Sequence, residues 1–479
     1  MDSNKKHIAF MSLRCAILAG VTFFTVAVTI SSCKKFIEVA APNDKLETNS
    51  VFADSTTASS AITGIYSTLM QGNTGFMANK SILPGLSSDE FQFTSIDNTR
   101  IEFNNNDIGI TNSWVSGLWS ELYATVYRAN AVIKGVNESN GISATAKAKL
   151  IAEAKFIRAF CYFYLINYYG DVPLVISTDY QQNASLPRSP VSVIYNQIKD
   201  DLLEAKFNLA INYPTPSRGR PTSLTASAFL SRVYLFTKDY VNAEKEATSV
   251  ISNSAFSLVS NLDLAFKKES SEIIWQLESV RVGVYNSYDG FLFIPSSLYI
   301  PAYVFRQDFL NSFNASDKRK VSWVKGITIG TTTYYYPYKY KVYARGINEE
   351  FEIVFRLAEQ YLIRAEARCQ QNNITGANSA ESDLNLIRSR AGLGNTNAVD
   401  QQSMLVAIET EKRYELFAEW GTRWLDLKRW PSRITTGKTR ADDILSSLKG
   451  ASWQSTDIIW PIPAAQISLN GNLKQNPGY

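Results

Sequence analysis

Apolar residues recur at helical spacing along most of the chain. After a tether from Asn43, residues Ala58, Ile62, Ile65 and Leu69 fall on one face of a first helix, which Gly72 stops. Segments 118–133 and 146–170 read as an antiparallel pair, the second closed by Gly170 with Pro173 beyond it, and 191–209 reads as a third helix. In 221–251 a proline suited to a helix start, a break at Lys238-Asp239, and Ala243 with Ala247 outline a tetratricopeptide-type hairpin. Small residues there let two helices approach. The stretch 355–393 repeats that plan with a Tyr-Leu core, a polar turn and an Ala-spaced return helix. Segment 404–430 reads as one last helix, and 457–479 as a proline-punctuated extended tail. Such pairs bury their apolar faces only by stacking, so two clear copies and two weaker ones predict a mostly α, short and imperfect superhelix.

Two stretches break this period. Residues 81–112 are polar and irregular, with the run FNNNDIG, and predict a long loop of the kind that carries function. Residues 261–348 contain FLFIPSSLYIPAYVF and VSWVKGITIGTTTYYYPYKYKVYARG, where proline, glycine and alternating aromatics predict strands and loops. Tyr338, Tyr340 and Tyr343 alternate as one face of a strand would. The aromatic run FCYFYLINYY (160–169) is different. Its helical spacing after Phe156 marks core between stacked helices.

The amino terminus carries Lys5, Lys6 and Arg14 ahead of an uncharged run from Cys15 to Ile30, the plan of a secretory signal. That run is shorter than the roughly 20 apolar residues a spanning helix needs, which makes an uncleaved anchor the weaker reading. Ile30-Ser31-Ser32-Cys33 then resembles a bacterial lipobox. The expectation is removal of residues 1–32 and lipidation of Cys33, where more than one acyl chain gives stable anchoring.

Composition gains meaning from that cleavage. The single histidine, His7, lies in the removed segment, so the mature chain lacks imidazole, and Ser-His-Asp catalysis, Cys-His catalysis and His-ligated metals are excluded. The mature chain has 45 basic against 43 acidic residues, a balance with no electrostatic drive toward nucleic acid. Cys161 and Cys369 both fall in helical patterns, as two buried thiols or as one disulfide, with the former the plainer reading. Glu409, Glu411, Glu415 and Glu419, with Arg413, Arg423 and Asp426, invite a glycosidase reading through paired carboxylates. Spacing of four residues along the helix favours a solvated or structurally ion-paired face instead. Asp89-Glu90 and Asp200-Asp201 lack the spacing of a calcium loop, and no metal or cofactor is expected.

Six segments in order carry a resemblance to a known family. They are Cys33 followed by KKFIEV, ASSAITGIYSTL, EAKFIRAFCYFYLINYYGDVPL, LAEQYLIRAEA with LNLIRSRAGL, EKRYELFAEWGTRWLDLKRW, and WPIPAAQISLNGNLKQNPGY. Together they resemble the SusD/RagB family from Cys33 to Tyr479. The resemblance implies one SusD-like domain over 33–479, with a helical scaffold at 111–260 and 349–430 and a loop-rich, partly β ligand-binding region at 73–110 and 261–348. It implies four tetratricopeptide-like helix pairs in a lipid-anchored outer-membrane protein that faces the cell exterior. It also implies a non-enzyme that captures oligosaccharides, or in some members peptides, for a SusC-like TonB-dependent transporter. The residues after Cys33 are basic rather than acidic, which departs from the family's surface-exposure signal.

A glycan platform needs aromatic faces for the C–H side of a sugar, with amides, carboxylates and guanidiniums beside them for its hydroxyls. The two irregular stretches offer that mixture. The candidate ligand-binding residues are Phe93, Asp97, Arg100 and Asn104 in the first, and Tyr285, Tyr288, Trp323 and Tyr335 in the second. For any single aromatic, packing inside the fold is the ordinary alternative. A helical-repeat adaptor without a small ligand and a carboxylate-based glycoside hydrolase are the competing functions.

Overall fold

Asp54 starts the first long helix by accepting hydrogen bonds from the backbone N–H groups of Thr56 (2.7 Å) and Thr57 (2.9 Å). That helix, α1 (Ser55–Gln71), buries Ala58, Ile62, Ile65 and Leu69, as the spacing predicts. The computed structural model describes residues 48–71, 75–280, 283, 286–344 and 346–479. The signal segment, Cys33 and Tyr285 lie outside them.

After β1 (Phe91–Phe93) and α2 (Asn98–Asn105), the scaffold is built from successive helices. They are α3 (Ser113–Glu138), α4 (Ala144–Tyr169), α5 (Val191–Asn208), α6 (Ser223–Phe236) and α7 (Tyr240–Ile251). Each packs on the next, and α7 packs on α8 (Leu357–Gln370), which packs on α9 (Ala380–Arg390) and α10 (Gln401–Glu415). The chain continues through α11 (Thr422–Arg429) and α12 (Arg440–Lys449). The predicted mostly α scaffold of stacked helix pairs is therefore present.

Local chemistry explains the boundaries. Gly170, at φ +71°, ends α4 in a conformation that side chains rarely adopt. Thr222 and Thr225 form a reciprocal capping box that starts α6, so Pro221 precedes the cap rather than opening the helix. Lys238 turns at φ +61° and Asp239 caps α7, placing the break where the sequence has it. Ala243, Ala247 and Ala367 pack with Leu235 and Ile363, which confirms that small residues bring these helices together. Cys161 and Cys369 are buried free thiols, and burial pushes the Cys369 thiol up to about 12.

The strands form three two-stranded antiparallel sheets: β1 with β3 (Tyr303–Phe305), β4 (Val324–Ile329) with β5 (Thr332–Pro337), and β2 (Ile273–Leu277) with β6 (Glu352–Arg356). Both strands of the β2–β6 pair are fully buried, and Leu277 lies opposite Glu352. The chain from 278 to 351 is thus one excursion closed at its base, carrying the other two ladders' mid-chain strands.

Three expectations are corrected. Residues 75–91 are all buried and include helical turns Phe76–Asn79 and Ile82–Ser87, while α2 takes most of FNNN; only part of the first irregular stretch is surface loop. Residues 338–343 are not a strand. Tyr340 turns inward so that its hydroxyl accepts the Ile353 N–H (2.9 Å), and Tyr343 lies against Phe291. The helix predicted over 404–430 is broken between α10 and α11, where Ala418, Trp420 and Gly421 all have positive φ (55°, 52° and 68°). The buried segment imposes that break: Glu90 Oε1 accepts the Ala418 N–H (3.3 Å) and Ser81 Oγ the Trp420 N–H (3.2 Å). The tail begins in the 3-10 turn Ser455–Ile458 and contains the helical turn Ala464–Leu469, and Trp460 stacks on Tyr168 with centroids 4.3 Å apart.

Candidate functional site

The β1–β3 ladder runs from the core to the surface and sets the candidate site at its open end. Phe91 pairs with Phe305 in the core, and Phe93 with Tyr303 at the margin, their rings 5.6 Å apart. Beyond the ladder, the Thr94 N–H donates to Ala302 (3.0 Å) and its hydroxyl to Pro301 (2.5 Å). These bonds bring the loop before α2 alongside the loop before β3. That second loop exposes Leu298 and Tyr299, the tyrosine 77% accessible, and Ile96 stands exposed in the first. The β4–β5 hairpin packs beside β3 and presents Tyr335, 38% accessible. Its ring crosses over Gly326, where an added Cβ would sit 3.1 Å from the Tyr335 ring edge.

Helix α2 supplies the polar side. Asp97 caps it through the Thr99 N–H (3.0 Å) and pairs with Arg100 (2.5 Å). Partial burial alone would raise the Asp97 carboxyl, yet the bonds from Thr99 and Arg100 hold it below its ordinary value. The Arg100 guanidinium lies 4.0 Å from the Trp114 ring centroid and 5.9 Å from that of Tyr303. Asn104 ties the helix to the ladder by accepting the Phe93 N–H (3.2 Å). The Trp114 indole donates to Thr99 (2.8 Å), and burial pushes the Tyr303 hydroxyl up to about 12. The result is a surface of aromatic rings with a fixed carboxylate, guanidinium and amide beside them.

Of the sequence-predicted residues, Phe93, Asp97, Arg100 and Asn104 thus gather around one ladder end, and Tyr335 flanks it. Tyr288 and Trp323 are corrections. Both are 0% accessible, so neither presents a ring face at the surface. Trp323 donates its indole N–H to Leu262 (3.0 Å) and packs edge-on to Phe266 (5.6 Å), while Tyr288 sits at the start of a buried turn. Sequence reasoning missed Trp114, Tyr299 and Tyr303. The prolines Pro295 and Pro301 bracketing the Tyr299 loop were the available signal, whereas Trp114 looks like any residue near a helix start.

The acidic series near α10 has no such surface role. Glu411 and Glu415 are buried against Arg319, Glu415 also pairs with Arg356 (2.7 Å) and Arg390, and Glu419 with Arg356 (2.7 Å) and Lys339. Burial would raise the Glu415 carboxyl, but Arg390, Arg356 and Arg319 hold it well below the usual carboxylate range. Burial lowers the Lys339 ammonium to about 8. These are structural ion pairs rather than a solvated face, but their partners come from other segments and not from four residues along the helix. Asp89 belongs to the same kind of pairing, with Arg423 and Arg413, and Asp201 pairs with Arg158. Among the described residues no cluster could hold a metal ion.

The fold is that of a helix-pair scaffold protein, and the loop surface is its candidate site. Two family models match the chain: "Starch-binding associating with outer membrane" over residues 35–235 and "SusD family" over residues 318–479. The SusD-like protein P25 of Formosa agariphila is 24% identical, over 94% of this chain and 97% of its own length. The starch-binding protein SusD of Bacteroides thetaiotaomicron is 30% identical over 132 residues, 26% of this chain and 21% of that protein. A SusD superfamily structure from Bacteroides vulgatus shares the fold at a TM-score of 0.76, with 20% identity, covering 89% of this chain and 99% of that one. A laminarin-binding SusD-like protein does so at 0.73, with 23% identity, covering 88% and 99%. The chain belongs to the SusD/RagB family.

Proposed function

We propose that this protein is a cell-surface lipoprotein, anchored through Cys33, that captures oligosaccharides on the β1–β3 surface and delivers them to a SusC-like TonB-dependent outer-membrane transporter. It binds its cargo without reacting with it. The observation that carries the reading is the exposed rings of Tyr299 and Tyr335 and the half-buried ring of Phe93, which packs on buried Tyr303, set beside Asp97, Arg100 and Asn104. Sugars need both kinds of group, because one side of the ring is apolar and its rim is not. Similarity to a starch-binding and to a laminarin-binding protein supports a glycan as cargo, and the outer-membrane association of one matching family supports the location. Among the described residues no helix is long and apolar enough to cross a membrane.

Calorimetric titration with soluble starch fragments, laminarin fragments and a mixed peptide panel tests this. Binding to a glycan is expected, weakened about tenfold or more by Tyr299→Ala combined with Tyr335→Ala. Binding only to peptides, or glycan binding that the double variant leaves intact, overturns the assignment of cargo or of surface. Release of shorter products from the bound glycan would overturn the non-catalytic role.

A further inference from the structure

A cleft of about 190 Å³ opens on the helical scaffold and shares no lining residue with the β1–β3 surface. The start of α10 supplies Gln401, Gln402, Leu405 and Ile408, and the end of α8 adds Gln370. Trp430 closes one side. Beyond it the chain turns at Pro431 and returns, with the Arg440 N–H donating to Trp430 O (2.8 Å) and the Ser432 N–H to Lys438 O (2.9 Å). This closed loop holds Arg433 and Arg440 at the rim.

The lining has two parts with different chemistry. Half-buried Trp430, with its indole N–H fixed on Glu366 (2.8 Å), forms an apolar wall with Leu405, Ile408 and Pro431. Beside it on the same helix, and at the end of α8, are amides with bonding capacity to spare. Gln401 gives its N–H to Cys369 O (3.0 Å) and keeps its oxygen, while exposed Gln402 and half-buried Gln370 have no side-chain bond to another described residue. The rim charges are already matched. Glu409 takes Arg433 (2.5 Å), Arg440 (3.2 Å) and Arg423 (3.2 Å), Asp443 takes Arg440 (2.9 Å), and Asp89 takes Arg423 (2.7 Å). An anion would have to compete with those carboxylates. A neutral group that both donates and accepts suits the free amides better, and hydroxyls do both. The volume is below the roughly 300 Å³ at which drug-sized pockets begin, which fits one ring rather than a chain.

We infer that this cleft is a second saccharide-binding site, taking a single neutral sugar ring against Trp430 with its hydroxyls on Gln370, Gln401 and Gln402. It stands apart from the loop surface and does not depend on that surface being the glycan platform.

Saturation-transfer NMR on the full chain with glucose, galactose, mannose and xylose, each alone, tests the inference. Transfer to at least one sugar is expected in the unsubstituted protein and in Tyr299→Ala. In the Tyr299→Ala, Tyr335→Ala background, which removes any transfer through the loop surface, Leu405→Trp, which fills the cleft from a half-buried position, should abolish it, and Gln402→Ala should weaken it about tenfold. If Leu405→Trp fails to fold, the exposed Gln402→Ala and the half-buried Gln370→Ala carry the comparison. No transfer to any of the four sugars overturns the inference. So does transfer that ignores the cleft variants, and loss in Tyr299→Ala alone would place the sugar on the loops instead.

Discussion

Individual side chains divide by what surrounds them rather than by type. Trp323 and Tyr299 both stand in the aromatic-rich mid-chain excursion, yet one is sealed under Phe266 and Phe417 and the other is open to solvent. Glu90 shows the same principle for charge. Burial, reinforced by the neighbouring Asp89 carboxylate, pushes its pKa from 4.5 to about 8. The folded state therefore binds this proton more tightly than the unfolded chain does. Its contribution is most favourable below about pH 4.5 and is lost as pH rises to about 8. Glu90→Gln keeps the acceptor for the Ala418 N–H and removes the titration. Urea unfolding of both proteins between these limits should show the original losing up to about 1.4 kcal/mol per pH unit relative to the variant. Equal pH slopes would show that Glu90 is not a shifted group.

At the scale of elements, the informative case is the helix that divides. Segment 404–430 has the apolar spacing of one helix, and nothing local but Gly421 argues otherwise. The break into α10 and α11 depends on a partner more than three hundred residues earlier, whose Ser81 and Glu90 accept the freed backbone donors. Gly421 is held at φ +68°, and a Cβ there would lie 2.6 Å from Pro84 Cβ. Gly421→Ala should cost about 2–4 kcal/mol, from the left-handed backbone together with the overpacking, measured as a lower urea midpoint. A neutral result would mean that the break tolerates a shift away from Pro84.

Across the whole molecule, the body from Phe52 to Tyr479 joins scaffold and excursion through buried charge. Arg356, at the end of β6, bonds Glu415 and Glu419 and lies 3.5 Å from Glu272 just before β2. It links the base of the excursion to α10 and the break that follows. Arg356→Met would strand these carboxylates without a major partner, so a loss of about 3–5 kcal/mol is expected. Because the pairs span distant segments, calorimetry should show one transition moved down rather than a separate early unfolding of 278–351. Two resolved transitions would show that the excursion unfolds on its own.

The sequence by itself determined the helix pairs, their turns at Gly170 and Lys238-Asp239, the alanine contacts of α7 against α6, and the family. Those follow from residues near one another in the chain: periodicity, caps and breakers act over a few positions. It also brought Phe93, Asp97, Arg100 and Asn104 into one candidate group, because they share a short stretch. Tertiary structure alone decided that Trp323 and Tyr288 are interior and Tyr299 exterior, and that residues 75–91 are buried despite their polar groups. It also decided that the last helix breaks. Burial is set by partners far along the chain, and a local pattern of aromatic or acidic residues looks the same whether that partner is another helix or water.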